Sequence, residues 1–187
     1  MPRVAVLLAE GFEEGEALTV ADILRRAGIE ADLLGATAPV VVGGHEIEVE
    51  ADGVLPDSLD GYDMVFLPGG LPGATNLRDD VRVRTAVRGM YDSGRWVTAM
   101  CAAPMVLGAA GILDGHRWTA YPGYDTKIET TGTYVDEIVV TDGTVITSRG
   151  PASAYAFGYA LVDALGGDSR AVKDRMLYGH AFTEGAL

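Results

Sequence analysis

The sequence predicts an α/β sandwich with a mainly parallel central sheet. Three observations carry that reading. Short apolar runs recur at Arg3–Leu8, Met64–Leu67 and Trp96–Met100, and such runs suit strands covered on both faces. Each run passes through a turn into a helical pattern, which is the βαβ order of parallel sheets. Two further segments alternate around Gly43-Gly44 and Asp142-Gly143, the signal of antiparallel hairpins.

Taken in order, strand Arg3–Leu8 leads to a helix over Glu14–Ala27 that Gly28 ends. Leu18, Ala21, Ile23, Leu24 and Ala27 form its expected apolar stripe. Ile29–Leu34 reads as the second strand and Val40–Val49 as a hairpin, with Val54–Leu59 a connecting turn. Strand Met64–Leu67 runs into Pro68-Gly69-Gly70-Leu71-Pro72-Gly73, and a helix is expected over Asp79–Tyr91. Strand Trp96–Met100 meets the chain's single cysteine, Cys101, and a helix starts at once over Ala103–Ala110. Arg117–Ala120 is a short strand. Tyr134-Val135 and Ile138–Thr141 are expected to pair antiparallel with Val145–Ser148. Arg149-Gly150-Pro151 turns into a helix over Ser153–Leu165, stopped by Gly166-Gly167, and a last helix spans Ser169–Leu177.

Composition narrows the function classes. The 187 residues suit one domain over 1–187, with an apolar fraction of 48% and a charged fraction of 22%. A net charge of −13 repels nucleic acid and anionic membranes, and no apolar run reaches membrane-spanning length. One cysteine forms no internal disulfide, and Met-Pro-Arg leads straight into strand-like sequence. Both features point to a cytoplasmic protein without a signal peptide. His45, His116 and His180 are dispersed, so no metal site is expected, and His116 in an Asp-Gly-His turn is expected to be exposed. Phosphate-cradling Gly motifs and Gly-x-Ser-x-Gly are absent, which speaks against nucleotide binding and serine hydrolysis.

In doubly wound sheets ligands sit beyond the carboxyl ends of the strands, where strand order reverses. The turns Glu10–Glu16, Pro68–Gly73 and Met100–Pro104 fit that position. Cys101 stands at a strand-to-helix elbow, facing a helix N-terminus whose field favours thiolate, the reactive form. A small buried filler is the plainer role for a lone cysteine. Glu13 and Glu14 suit the first turn of a helix, whereas Glu16 lies further in. Placed against Cys101, Glu16 would hold a proton while the thiol lost one, giving a nucleophile and a proton shuttle. Gly69 permits close backbone approach, and the N–H groups of Gly70 and Ala102 are the expected oxyanion donors.

Five stretches, in register across nearly the whole chain, resemble the ThiJ/PfpI superfamily and its parkinsonism-associated protein deglycase branch. They are Ala9–Glu16, Arg25–Ile29, Leu67–Gly70 with Gly73-Ala74 and Asn76-Leu77, Ala99–Pro104, and Thr147–Pro151. The resemblance implies a flavodoxin-like three-layer sandwich and a homodimer. It implies Cys101 as nucleophile, Glu16 as its protonated partner, and backbone donors at Gly70 and Ala102. Gly69, Tyr121, Arg149 and Gly150 are the expected pocket residues. It further implies a glyoxalase- or deglycase-like enzyme that acts on a small reactive carbonyl such as methylglyoxal without a cofactor. An oxidative-stress sensor or chaperone working through oxidation of Cys101 is the alternative, and ligand binding without chemistry is a third. Ala102 stands where a protease-like branch carries histidine. Tyr121-Pro122 replaces the His-Pro of many relatives, and tyrosine is a poor base at neutral pH.

Overall fold

The computed structural model describes residues 1–182. Among them, seven strands form the central sheet in the order β10-β11-β7-β6-β1-β2-β5. The strands are β1 (Arg3–Leu8), β2 (Glu30–Gly35), β5 (Gly53–Val54), β6 (Met64–Leu67), β7 (Trp96–Met100), β10 (Val139–Asp142) and β11 (Val145–Ser148). All neighbours pair parallel except β10 with β11. The hairpin β3 (Val40–Val42) with β4 (Glu48–Glu50) and the parallel pair β8 (Arg117–Trp118) with β9 (Thr133–Tyr134) lie outside the sheet.

The wholly apolar strands are explained by layers on both faces. Side chains alternate along a strand, so Val4, Val6 and Leu8 of β1 join Met64 and Phe66 of β6 on one face. That face is covered by α1 (Glu14–Arg26) and α5 (Ala154–Ala164) through Val20, Ile23, Leu24, Phe157 and Leu161. Ala5, Leu7, Val65 and Leu67 point the other way. They meet α2 (Gly73–Asp79), α3 (Val81–Asp92) and α4 (Pro104–Ala109) through Leu77, Val83, Val87, Val106 and Leu107. The result is a flavodoxin-like three-layer α/β sandwich.

Five local expectations are corrected. The stripe of α1 runs through Ala17, Val20, Ala21, Ile23 and Leu24, while Leu18 is exposed. The helix expected over Asp79–Tyr91 is two helices, because the side chain of Asp80 accepts the Arg82 N–H and starts α3 afresh. Tyr134 pairs parallel with β8 instead of joining the β10–β11 hairpin. Gly53-Val54 forms an edge strand on β2 rather than only a turn. The final helix, α6, is shorter than expected at Ser169–Arg175.

Strand order reverses between β1 and β6. The turns after β1, β6 and β7 therefore meet at one carboxyl edge of the sheet.

Candidate active site

The site begins with the elbow. Cys101 leaves β7 with φ +58°, a left-handed conformation that costs a non-glycine residue on the order of 1–3 kcal/mol. Two backbone hydrogen bonds hold it there. Its N–H donates to Ser148 O at 2.9 Å, and its carbonyl accepts from Tyr121 N–H at 2.9 Å. Pro104 opens α4 at a position where no N–H is needed. Ala102 is nearly fully buried.

Glu16 approaches from the first turn of α1 and is fully buried. The turn before it is fastened on two sides. Glu13 N–H donates to Gly69 O at 2.9 Å, and Gly11 N–H donates to Val42 O at 2.8 Å. Gly69 N–H in turn donates to Glu16 Oε2 at 2.7 Å. A Cβ at Gly69 would lie 2.5 Å from Cys101 Cβ, 3.0 Å from its sulfur and 2.9 Å from Glu16 Oε2. Sulfur and carboxyl thus converge on one point that only glycine leaves open. Gly70, at φ +84°, has the same need, since a Cβ there would fall 2.4 Å from Glu13 N.

Burial dominates the electrostatics. It pushes the Glu16 carboxyl up to about 7, against downward pulls from the Gly69 N–H and the Cys101 thiol, with the Glu13 charge adding a smaller rise. Burial also pushes the thiol up to about 12, followed by the charge of Glu16 and the hydrogen bond to it. The Gly70 and Ala102 N–H groups oppose that rise. The expectation of a thiol lowered by its helix tip is therefore corrected. The helix has six residues, and dehydration outweighs its field. Two of the three upward causes come from ionised Glu16 itself, however, and they disappear when Glu16 holds the proton. The pair thus keeps both protons below about pH 7 and gives up one of them above it. Among the described residues Glu16 Oε1 is buried without a hydrogen-bond partner.

Of the predicted pocket residues, Tyr121, Arg149 and Gly150 line two neighbouring hollows, while Gly69 lines neither and lies between Cys101 and Glu16. Gly70, Leu71, Cys101, Ala102, Tyr121 and Tyr124 line a cleft of about 240 Å³ over the sulfur. Arg149 and Gly150 line a neighbouring hollow of about 210 Å³, with Tyr121 as the shared wall. Arg149 is engaged there by an ion pair with Asp136. Sequence reasoning missed Tyr124, three residues after Tyr121, whose ring meets Tyr121 edge to face at 6.5 Å. The hint was a second aromatic residue in one short turn.

Sequence spacing also missed the setting of two histidines. His45 is brought by the hairpin onto Glu14, its N–H at 2.7 Å and its ring Nδ1 at 2.8 Å from the carboxylate. With Glu13 these groups place three donor atoms within 4.8 Å of one another. His116 is not exposed as expected. It is largely covered, with Nε2 at 2.8 Å from Tyr91 OH and Nδ1 at 3.4 Å from Asp142.

Comparison with known proteins identifies the family. The chain is 37% identical over 173 residues to Drosophila melanogaster protein dj-1beta, covering 88% of this chain and 90% of that one. It is 32% identical over 157 residues to a protein named a deglycase from Pyrococcus abyssi, covering 83% and 94%. The crystal structure of Drosophila DJ-1beta superposes with a TM-score of 0.89 at 34% identity, over 94% of this chain and 97% of that one. That of oxidized Toxoplasma gondii DJ-1 superposes at 0.87 with 28% identity, over 95% and 98%. Residues 2–164 match the DJ-1/PfpI family model, and the chain belongs to that family.

Proposed function

We propose that this protein is a cofactor-independent glyoxalase or deglycase-like enzyme acting on reactive 2-oxoaldehydes. The carrying observation is the convergence of the Cys101 sulfur and the buried Glu16 carboxyl around Gly69. The reacting form has the proton on Glu16 and the charge on sulfur. The thiolate attacks the aldehyde carbon, and the carbonyl electron pair moves to oxygen beside the Gly70 and Ala102 N–H groups. Glu16 supplies the proton, giving a hemithioacetal. Its carboxylate then removes the hydrogen on that carbon and returns a proton to the neighbouring carbon through an enediol. The aldehyde carbon is oxidised to a thioester and the ketone carbon is reduced to an alcohol. Water cleaves the thioester to a 2-hydroxy acid and frees the thiol. Substrate, water and two side chains account for every atom and electron.

Incubation with methylglyoxal and measurement of lactate tests the reading. Formation above a Cys101→Ser control is expected, and none above it rejects the enzyme. In Glu16→Gln, lactate formation falls by roughly a hundredfold or more while Cys101 still reacts with iodoacetamide. A specific observation favours a second reading, an oxidation sensor: Cys101 is only partly buried, at the floor of an open cleft, and the related Toxoplasma protein was solved oxidized. Mild peroxide followed by mass spectrometry checks it, with sulfinate at Cys101 as the expected product.

Association as a homodimer belongs to the same proposal. Leu18 on α1 and Val40 and Ile47 in the β3–β4 region are large apolar side chains left exposed. Light scattering at micromolar concentration should give twice the chain mass, and a monomer rejects it. Asp22 and Arg26 pair within α1 at 2.8 Å.

A further inference from the structure

The cleft over Cys101 says more about the substrate than the reaction does. Its walls are Gly70, Leu71, Ala102, Tyr121 and Tyr124, with the sulfur at the floor, and none of these is cationic. The whole chain carries −13. An anionic substrate meets the acidic field of the chain with no cationic side chain in the cleft wall to hold it, whereas a neutral one needs none.

The two aromatic walls differ in exposure. Tyr124 is 8% exposed, and Lys127 Nζ sits 4.7 Å from its ring centroid. Tyr121 is tied to the nucleophile itself, because its N–H donates to the Cys101 carbonyl. The two rings stand at 90° to each other. Leu71, in the same lining, is 56% exposed. A three-carbon oxoaldehyde bonded to sulfur leaves water against these walls. A ring on the ketone carbon displaces that water and meets two aromatic partners, a favoured edge-to-face or offset arrangement.

We propose that the site selects neutral 2-oxoaldehydes bearing an aromatic substituent, with Tyr121 and Tyr124 as specificity-determining residues. This rests on the enzymatic reading above. The bonds made and broken are the same, and the aromatic group takes no part in them. Tyrosine at position 121 thereby has a positive role: a wall of the cleft.

The test uses the full chain with phenylglyoxal and methylglyoxal, measuring mandelate and lactate. Intrinsic reactivity cancels when the ratio of the two kcat/KM values is compared between the wild-type chain and Tyr124→Leu or Tyr121→Ala. The ratio is expected to fall by roughly tenfold or more in either variant. Tyr121 is 49% exposed, so its variant serves if Tyr124→Leu does not fold. A ratio within twofold of wild type in folded variants overturns the proposal. A second measurement needs no turnover: acetophenone should protect Cys101 from iodoacetamide at lower concentration than acetone, and lose that advantage in the variants. Protection without turnover rejects the enzyme and keeps the aromatic cleft. Turnover with equal protection by both ketones rejects the aromatic cleft and keeps the enzyme.

Discussion

Glu16→Gln should stabilise the protein, and only at neutral to alkaline pH. The wild-type chain buries a carboxyl whose proton is retained up to about 7 instead of the ordinary 4.5. Between those values the unfolded chain has released the proton and the folded chain has not. The folded state binds more protons, so stability falls as pH rises through that window. Each tenfold change in proton affinity is about 1.4 kcal/mol, which puts the full loss at about 3 kcal/mol above pH 7. Glutamine keeps an acceptor for the Gly69 N–H and carries no charge. Its advantage over wild type should therefore grow by about 2–3 kcal/mol between pH 5 and pH 8, or roughly 5–10 °C in Tm. Urea unfolding of both proteins at the two pH values measures this, and the difference cancels the effect of the other acids. It does not depend on which of the two partners holds the charge, because the pair as a whole is charged. An equal gap at pH 5 and pH 8 would refute the buried-pair electrostatics.

Other perturbations probe separate parts. Gly69→Ala places a Cβ 2.5 Å from Cys101 Cβ and should destabilise by about 1–3 kcal/mol while abolishing turnover; unfolding and lactate assays read both. His45 should titrate above its ordinary 6.5, held up by its hydrogen bond to Glu14 and then by the charges of Glu13 and Glu14. In Glu14→Gln its NMR titration should return towards 6.5, with the pair's contribution present at lower pH and lost as pH rises through the His45 titration. Phe157, fully buried and 5.3 Å from the ring of Phe66, should cost about 3–5 kcal/mol on truncation to Ala by denaturant titration.

Several features were legible because they are local. Wholly apolar runs can only be strands with cover on both faces, and Gly28 and Gly166 at positive φ close helices as their positions suggest. The elbow was legible too, since Trp96–Met100 runs directly into Cys101 and then Pro104. The break at Asp80 was harder to read, because a cap interrupts a pattern that remains helical on both sides. His116 was misjudged because Tyr91, its partner, lies on another element.

By itself the sequence determined the strand and helix runs, the glycines that let three turns pack together, and the presence of one thiol and one inward acid. Only the tertiary structure decided how those groups titrate, because dehydration depends on the neighbours that exclude water. It also decided that Tyr121 and Tyr124 share a cleft while Arg149 faces the next hollow. Side-chain chemistry is written residue by residue, whereas burial and mutual distance arise when segments far apart in the chain are brought to one edge of the sheet.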